Sequence, residues 1–120
     1  MTEVVRYTIK DAIALVSVDN PPVNTLTREV RAGLKQSFEA LRGKDVKAIV
    51  LACAGKTFLS GGDMREFETG VQEPGYHEVL RLIEDSAVPV VAAVHGTVMG
   101  GGVETAIACH YRIAAEGTRF

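Results

Sequence analysis

Apolar and polar residues alternate with a period of two over Val4 to Ile9 and again over Ile13 to Val18, which predicts two strands turned at Lys10-Asp11. The period then changes. Val30, Leu34, Phe38 and Leu41 recur at helical spacing, with Thr27 placed to cap the first turn and Gly43 to stop the last. Ala48 to Cys53 and Val88 to Val94 are nearly unbroken apolar runs and read as buried strands, the second extended from Pro89 onward. Glu78 to Asp85, carrying Val79, Leu80, Leu82 and Ile83, reads as a helix. A helix over 102–109 and a short strand from Tyr111 to Ala114 complete the order. Strands alternating with helices predict an α/β layer fold with a largely parallel sheet, and the pattern by itself goes no further than a doubly wound arrangement. No internal repeat, low-complexity tract or linker interrupts it.

Composition narrows the class. A length of 120 residues fits one domain with a modest core. Apolar residues at 47% and charged residues at 23% are ordinary for a globular α/β protein. Thirteen basic and fifteen acidic side chains leave a net charge of −2 with no basic stripe, which argues against a nucleic-acid partner and means that an anionic ligand must be met locally. No apolar stretch approaches the ~18 residues of a membrane span, and the N-terminus lacks a signal-peptide pattern, so no membrane partner is expected and the compartment reads as cytoplasm or organelle matrix. Cys53 and Cys109 lie inside apolar runs, which predicts buried thiols in a reducing environment.

The chemistry concentrates where two of the strands end. Gly96-Thr97-Val98-Met99-Gly100-Gly101-Gly102-Val103-Glu104 follows the run ending at Val94, and its three consecutive glycines lack every Cβ. The backbone there can press against a ligand and present bare N–H groups at a helix N-terminus, suited to a carbonyl oxygen becoming an oxyanion. Glu104 falls in the first turn, where the helix dipole favours the carboxylate and the side chain can reach the atom the amides hold. Upstream, Gly55 to Met64 with Phe58-Leu59-Ser60-Gly61-Gly62-Asp63 follows the run ending at Cys53. Two such junctions point to two backbone donors converging on one oxygen.

These two segments resemble the crotonase or enoyl-CoA hydratase superfamily, whose members carry F-x-[AS]-G-x-D followed by G-x-x-x-G-G-G-x-E. Asn20-Pro21-Pro22-Val23-Asn24 is similar to the family's N-P-P-x-N segment beside the acyl-CoA cleft, so the resemblance runs from about Val16 to Phe120. Cys109 to Ala114 looks most like the hydratase portion of multifunctional beta-oxidation proteins. The resemblance implies the ββα spiral of the ClpP/crotonase fold, N-terminal part only, as an incomplete domain over 1–120. It implies the N–H groups of Gly62 and Gly101 as an oxyanion hole for an enoyl-CoA thioester, and Glu104 as the residue that orients or deprotonates the attacking water. Val23, Ser60, Gly61, Gly62, Asp63, Met64, Gly100 and Gly101 would line the acyl-CoA site. Coenzyme A is then part of the substrate, and no separate cofactor is implied.

Simpler readings stand beside these. Gly100 to Gly102 could serve only tight helix packing, Glu104 could cap its helix, Asp63 could cap Met64 to Phe67, and Asn24 could be a turn residue. Ala54-Gly55-Lys56-Thr57 ends like a P-loop, but Val50 stands where that motif needs its first glycine. Gly100 to Thr105 approaches a dinucleotide fingerprint, yet Glu104 would face a pyrophosphate with like charge. His77, His95 and His110 lack zinc-ligand spacing, and no metal is implied.

In hydratases of the family a second glutamate, in a G-x-P-E segment, shares the proton transfer, and Phe120 aligns just before that segment. The expected function is therefore hydration of trans-2-enoyl-CoA, impaired in these 120 residues alone. Two alternatives remain at this point, an isomerase or other enolate-forming crotonase, and a non-catalytic acyl-CoA-binding or assembly module. A homo-oligomer or association with the missing half is expected, because sheet edge and apolar helix faces such as Val79-Leu80-Ile83 should otherwise lie uncovered.

Overall fold

In a computed structural model that describes residues 3–120, a five-stranded sheet carries its strands in sequence order. Strands β1 (Val5–Lys10) and β2 (Ile13–Val18) pair antiparallel; β3 (Ala48–Cys53), β4 (Val90–Val94) and β5 (Tyr111–Ala114) then add in parallel. The hairpin loop is Asp11-Ala12, one residue later than the pattern predicts, because Lys10 still pairs with Ile13. Both loop residues take positive φ, 53° and 64°, the conformation whose twist matches the flanking strands. Aspartate tolerates it; Ala12 does so at a cost of about 1 kcal/mol.

Helix α1 (Arg28–Leu41) starts where expected: Thr27 Oγ1 accepts the Val30 N–H at 3.3 Å. Helices α2 (Met64–Thr69) and α3 (Tyr76–Glu84) fill the β3–β4 crossover, and α4 (Gly101–Ala108) fills the next. Successive parallel strands add in one direction, and right-handed crossovers in one direction lay every helix on one sheet face. Here the doubly wound expectation fails: its helices would cover both faces. The buried rows Ala14–Ile49–Val90 and Val16–Leu51–Ala92 meet the helices, while Ile13 and Leu15 on the opposite face are each 40% exposed.

A second expectation fails on α3. Val79 and Ile83 are buried, because α3 packs between α1 and α4. The exposed apolar surface lies instead on Phe67, Ile107, Tyr111, Ile113 and Phe120. Cys109 is buried as expected and Cys53 half-buried; both are free, and desolvation pushes each thiol up to about 12, so both stay protonated at neutral pH.

Candidate active site

Parallel strands β2, β3 and β4 all point their C-terminal ends to one side, and the loops leaving them carry the predicted residues, as open α/β sheets usually arrange their ligand sites. The first loop is fastened by Asn24. Its φ is 55°, so it is a turn residue, but it is also buried, and its Nδ2 donates to the carbonyls of Ala54 and Thr57 at 2.8 Å each. Its Oδ1 accepts the Asn20 N–H at 2.8 Å. One side chain thus joins the β2 loop to the β3 loop.

The β3 loop is anchored by Phe58 and Leu59, both fully buried, the former contributing about 3 kcal/mol of apolar burial. Phe58 donates its N–H to His95 O at 3.1 Å, and Thr57 Oγ1 donates to the Thr97 carbonyl, which ties this loop to the β4 loop. Gly96, at φ 66°, permits the approach: a Cβ there would stand 2.0 Å from Lys56 O.

The glycine triplet divides its work. Gly100, at φ 50° and ψ −122°, makes the turn into α4. Gly102 is a packing glycine, since a Cβ would meet Leu59 O at 1.8 Å. Gly101 opens the helix with backbone against backbone: a Cβ on it would sit 3.7 Å from Gly61 Cα and 2.9 Å from Leu26 Cδ1. Gly61, at φ 132°, accepts the Leu26 N–H at 2.8 Å, and Leu26 bridges to Gly62. Among the described residues, neither the Gly62 nor the Gly101 N–H is given to a backbone or side-chain acceptor, so both remain free donors. The helix dipole of α4 adds partial positive charge at Gly101.

Glu104 stands one turn further, exposed and without an ion-pair or hydrogen-bond partner for its carboxylate among the described residues. It lines a shallow cleft with Gly101, Leu26, Arg31, Tyr76 and Thr105. Gly62 adjoins Tyr76 of this cleft, whose hydroxyl would lie 2.9 Å from a Cβ on Gly62. The structure therefore brings Gly101 and Glu104 into one cleft and sets the turn that carries Gly62 against Gly101 through Gly61. Ser60 donates its N–H to Asn24 O at 3.3 Å, and Val23 and Met64 expose apolar surface, 44% and 76%. Asp63 proves to be a cap: its Oδ1 accepts the Arg65 N–H at 3.0 Å and both oxygens take the Arg65 guanidinium. Hydrogen bonds from that guanidinium hold the Asp63 carboxyl below its ordinary range.

Residues 8–120 match the enoyl-CoA hydratase/isomerase family. The chain belongs to that family. It is 44% identical over 114 residues to a peroxisomal fatty acid beta-oxidation multifunctional protein of Arabidopsis thaliana, covering 88% of this chain and 16% of that protein. Against a probable enoyl-CoA hydratase of Bacillus subtilis it is 28% identical over 123 residues, 96% of this chain and 48% of the other. The crystal structure of an enoyl-CoA hydratase/carnithine racemase from Magnetospirillum magneticum superposes at a TM-score of 0.87 and 27% identity, over 98% of this chain and 48% of that one. The chain thus spans about a sixth of the multifunctional relative and about half of the hydratases. The one-sided stack of strands and helices is the crotonase fold, as the two glycine segments implied.

Within this crotonase frame, sequence reasoning missed the polar cluster that holds the β3 loop. Arg31 is completely buried, and all five of its N–H groups are used: Nε on Pro74 O, Nη1 on Leu26 O and Glu66 Oε1, Nη2 on Glu66 Oε2 and Gln72 O, at 2.7–2.9 Å. Its guanidinium also stacks over the Tyr76 ring, 4.6 Å from the centroid. A signal was available. Arg31, Leu34, Phe38 and Leu41 are spaced by three, four and three, so a charge occupies the apolar stripe of α1 and demands an internal partner. Glu66, three residues after a capping aspartate, reads as a capping-box residue and instead turns inward to Arg31.

Hydrogen bonds from Arg31 hold the Glu66 carboxyl below its usual 4.5, against the opposing effect of burial. A carboxyl depressed in the folded state contributes stability that is complete above its unfolded pKa and is lost as pH falls through the folded one. Stability is therefore expected to decline below about pH 4.5. Glu66→Gln is expected to be less stable at neutral pH and to show a flatter acid limb. Urea midpoints measured from neutral pH to about pH 3 check this, and parallel profiles for the two proteins would refute it.

Proposed function

We propose that this chain provides the thioester-binding and base-bearing part of an enoyl-CoA hydratase. The observation that carries the reading is the pair of free N–H groups, Gly62 and Gly101, on two glycine turns packed backbone to backbone with Glu104 one helical turn away. In this reading the two amides hold the thioester oxygen of a trans-2-enoyl-CoA. Water, deprotonated by Glu104, forms a C–O bond at the β-carbon; the electron pair moves into the carbonyl, and the enolate oxygen is stabilised by about 3 kcal/mol per donor. A proton then returns to the α-carbon, the step that the family's second glutamate shares. Val23, Ser60, Gly61, Asp63, Met64 and Gly100 would line the acyl-CoA path around these donors.

The 48% coverage of the hydratases supports an incomplete hydratase domain over 1–120, and the exposed aliphatic sheet face supports association with further protein, a second copy or the rest of such a domain. The peroxisomal relative supports the organelle alternative for its compartment.

The test is conversion of crotonyl-CoA to 3-hydroxybutyryl-CoA, followed by loss of enoyl absorbance. Gly101→Pro deletes the donor at the first helical residue, where the missing N–H costs the helix nothing, and since its Cβ must displace Leu26 Cδ1 at 2.9 Å, the melting temperature is measured beside turnover. The variant is expected to lose about 10²- to 10³-fold in kcat. Wild-type turnover in Gly101→Pro would sink the assignment; conversion of a 3-enoyl-CoA to its 2-enoyl isomer in place of hydration would move the chain to the isomerases.

A further inference from the structure

The Gly62 amide needs more than a glycine to be a useful donor. An oxyanion donor works only if its direction is fixed before charge develops, since reorienting it during the reaction forfeits most of the gain. Gly62 sits in a loop between Leu59 and α2, outside any named strand or helix, so its direction is set by what its neighbours touch. Three contacts surround it. On one side the Leu26 N–H takes Gly61 O, while Leu26 O is held by Arg31 Nη1 at 2.7 Å. On the other side the Asp63 N–H donates to Tyr76 Oη at 3.2 Å, and the Tyr76 ring lies under the Arg31 guanidinium. Beyond it, Glu66 in α2 is clamped by both ends of the same guanidinium. The remaining Arg31 donors go to Gln72 O and Pro74 O, on the segment that delivers Tyr76.

We propose that Arg31 is the positioning residue for the Gly62 donor: one guanidinium, buried in α1, fixes the strand-like partner before Gly62, the phenol beside it and the helix after it. Arg31 itself touches no substrate atom in this scheme. The proposal rests on the reading of Gly62 as an oxyanion donor. A lysine cannot replace the arginine, because a single ammonium has three donors without the planar fork that serves five acceptors in different directions.

The experiment is infrared difference spectroscopy of crotonyl-CoA labelled with 13C at the thioester carbonyl, bound to the protein and to three variants, with affinity and hydration measured on the same samples. Donation from fixed amides lowers the carbonyl stretch. In the unmodified protein a single lowered band is expected. In Arg31→Lys it should broaden and move back toward the free frequency, with turnover down about 10-fold and affinity changed less than about 3-fold, since a misdirected donor costs the reaction more than binding. Tyr76→Phe keeps the ring and removes only the acceptor of the Asp63 N–H; it should broaden the band in the same direction and serves if Arg31→Lys does not fold. Glu104→Gln should keep the lowered band while losing turnover. A native band and native turnover in Arg31→Lys, or a native band in Tyr76→Phe where the lysine variant does not fold, would overturn the proposal and leave the oxyanion hole standing. A free-frequency band in the unmodified protein with label bound would remove the donor reading itself, and this inference with it.

Discussion

Gly102→Ala is expected to be the most damaging single-methyl change in the chain. The new Cβ would stand 1.8 Å from Leu59 O and 2.7 Å from its carbonyl carbon, both backbone atoms of the loop that leads to Gly62. Neither can rotate away. Either the loop lifts off α4 or the helix start retreats, and each separates Gly62 from Gly101. Overpacking of this kind costs about 3 kcal/mol or more, and the two donors would no longer address one oxygen, so hydration should fall by roughly 10²-fold even in the molecules that remain folded. Gly75→Ala is the control: φ there is −78°, and no heavy atom lies within 4 Å of where its Cβ would stand, so stability should change by less than about 1 kcal/mol, the worth of an N-cap position. Urea unfolding and crotonyl-CoA turnover of both variants check the pair. Native stability and turnover in Gly102→Ala would show that the two glycine turns do not depend on each other.

Glu104→Gln is expected to separate chemistry from architecture. The side chain is exposed and, among the described residues, unpaired, so its replacement should change stability by less than about 1 kcal/mol, the usual worth of a carboxylate in the first turn of a helix. Glutamine keeps the size and the position but cannot take a proton from water. A loss of about 10²-fold or more in kcat is therefore expected, with acyl-CoA affinity retained. A lowered melting temperature with kcat preserved would mean that Glu104 is only the dipole partner of α4.

Much of this was legible in the chain. Local pattern located β2, α1, β3, β4 and β5 to within a residue: the apolar positions of β2 and α1 repeat at the period of the element that carries them, and β3 and β4 stand out as apolar runs. The candidate site was legible for a different reason: Phe58 to Asp63 and Gly96 to Glu104 carry their glycines and carboxylates at the offsets of the family's two segments. Arg31, Glu66 and Tyr76 were not read out. Arg31 leaves one trace, a charge in the apolar stripe of α1, but the groups it meets in α2 and α3 are fixed only by distances between segments 35 and 45 residues apart.

The sequence by itself determined the order of elements, the two glycine turns and the carboxylate behind them, since these follow from nearest-neighbour sterics and short repeats. Tertiary structure alone decided that every helix lies on one sheet face, that Asn24 and Asp63 act as pins, that Gly102 serves packing while Gly101 keeps its N–H free, and that one arginine holds the loop of the other donor. Those outcomes depend on which groups meet once the crossovers close, and a hydrogen bond or a clash between distant segments leaves no periodic trace in the chain.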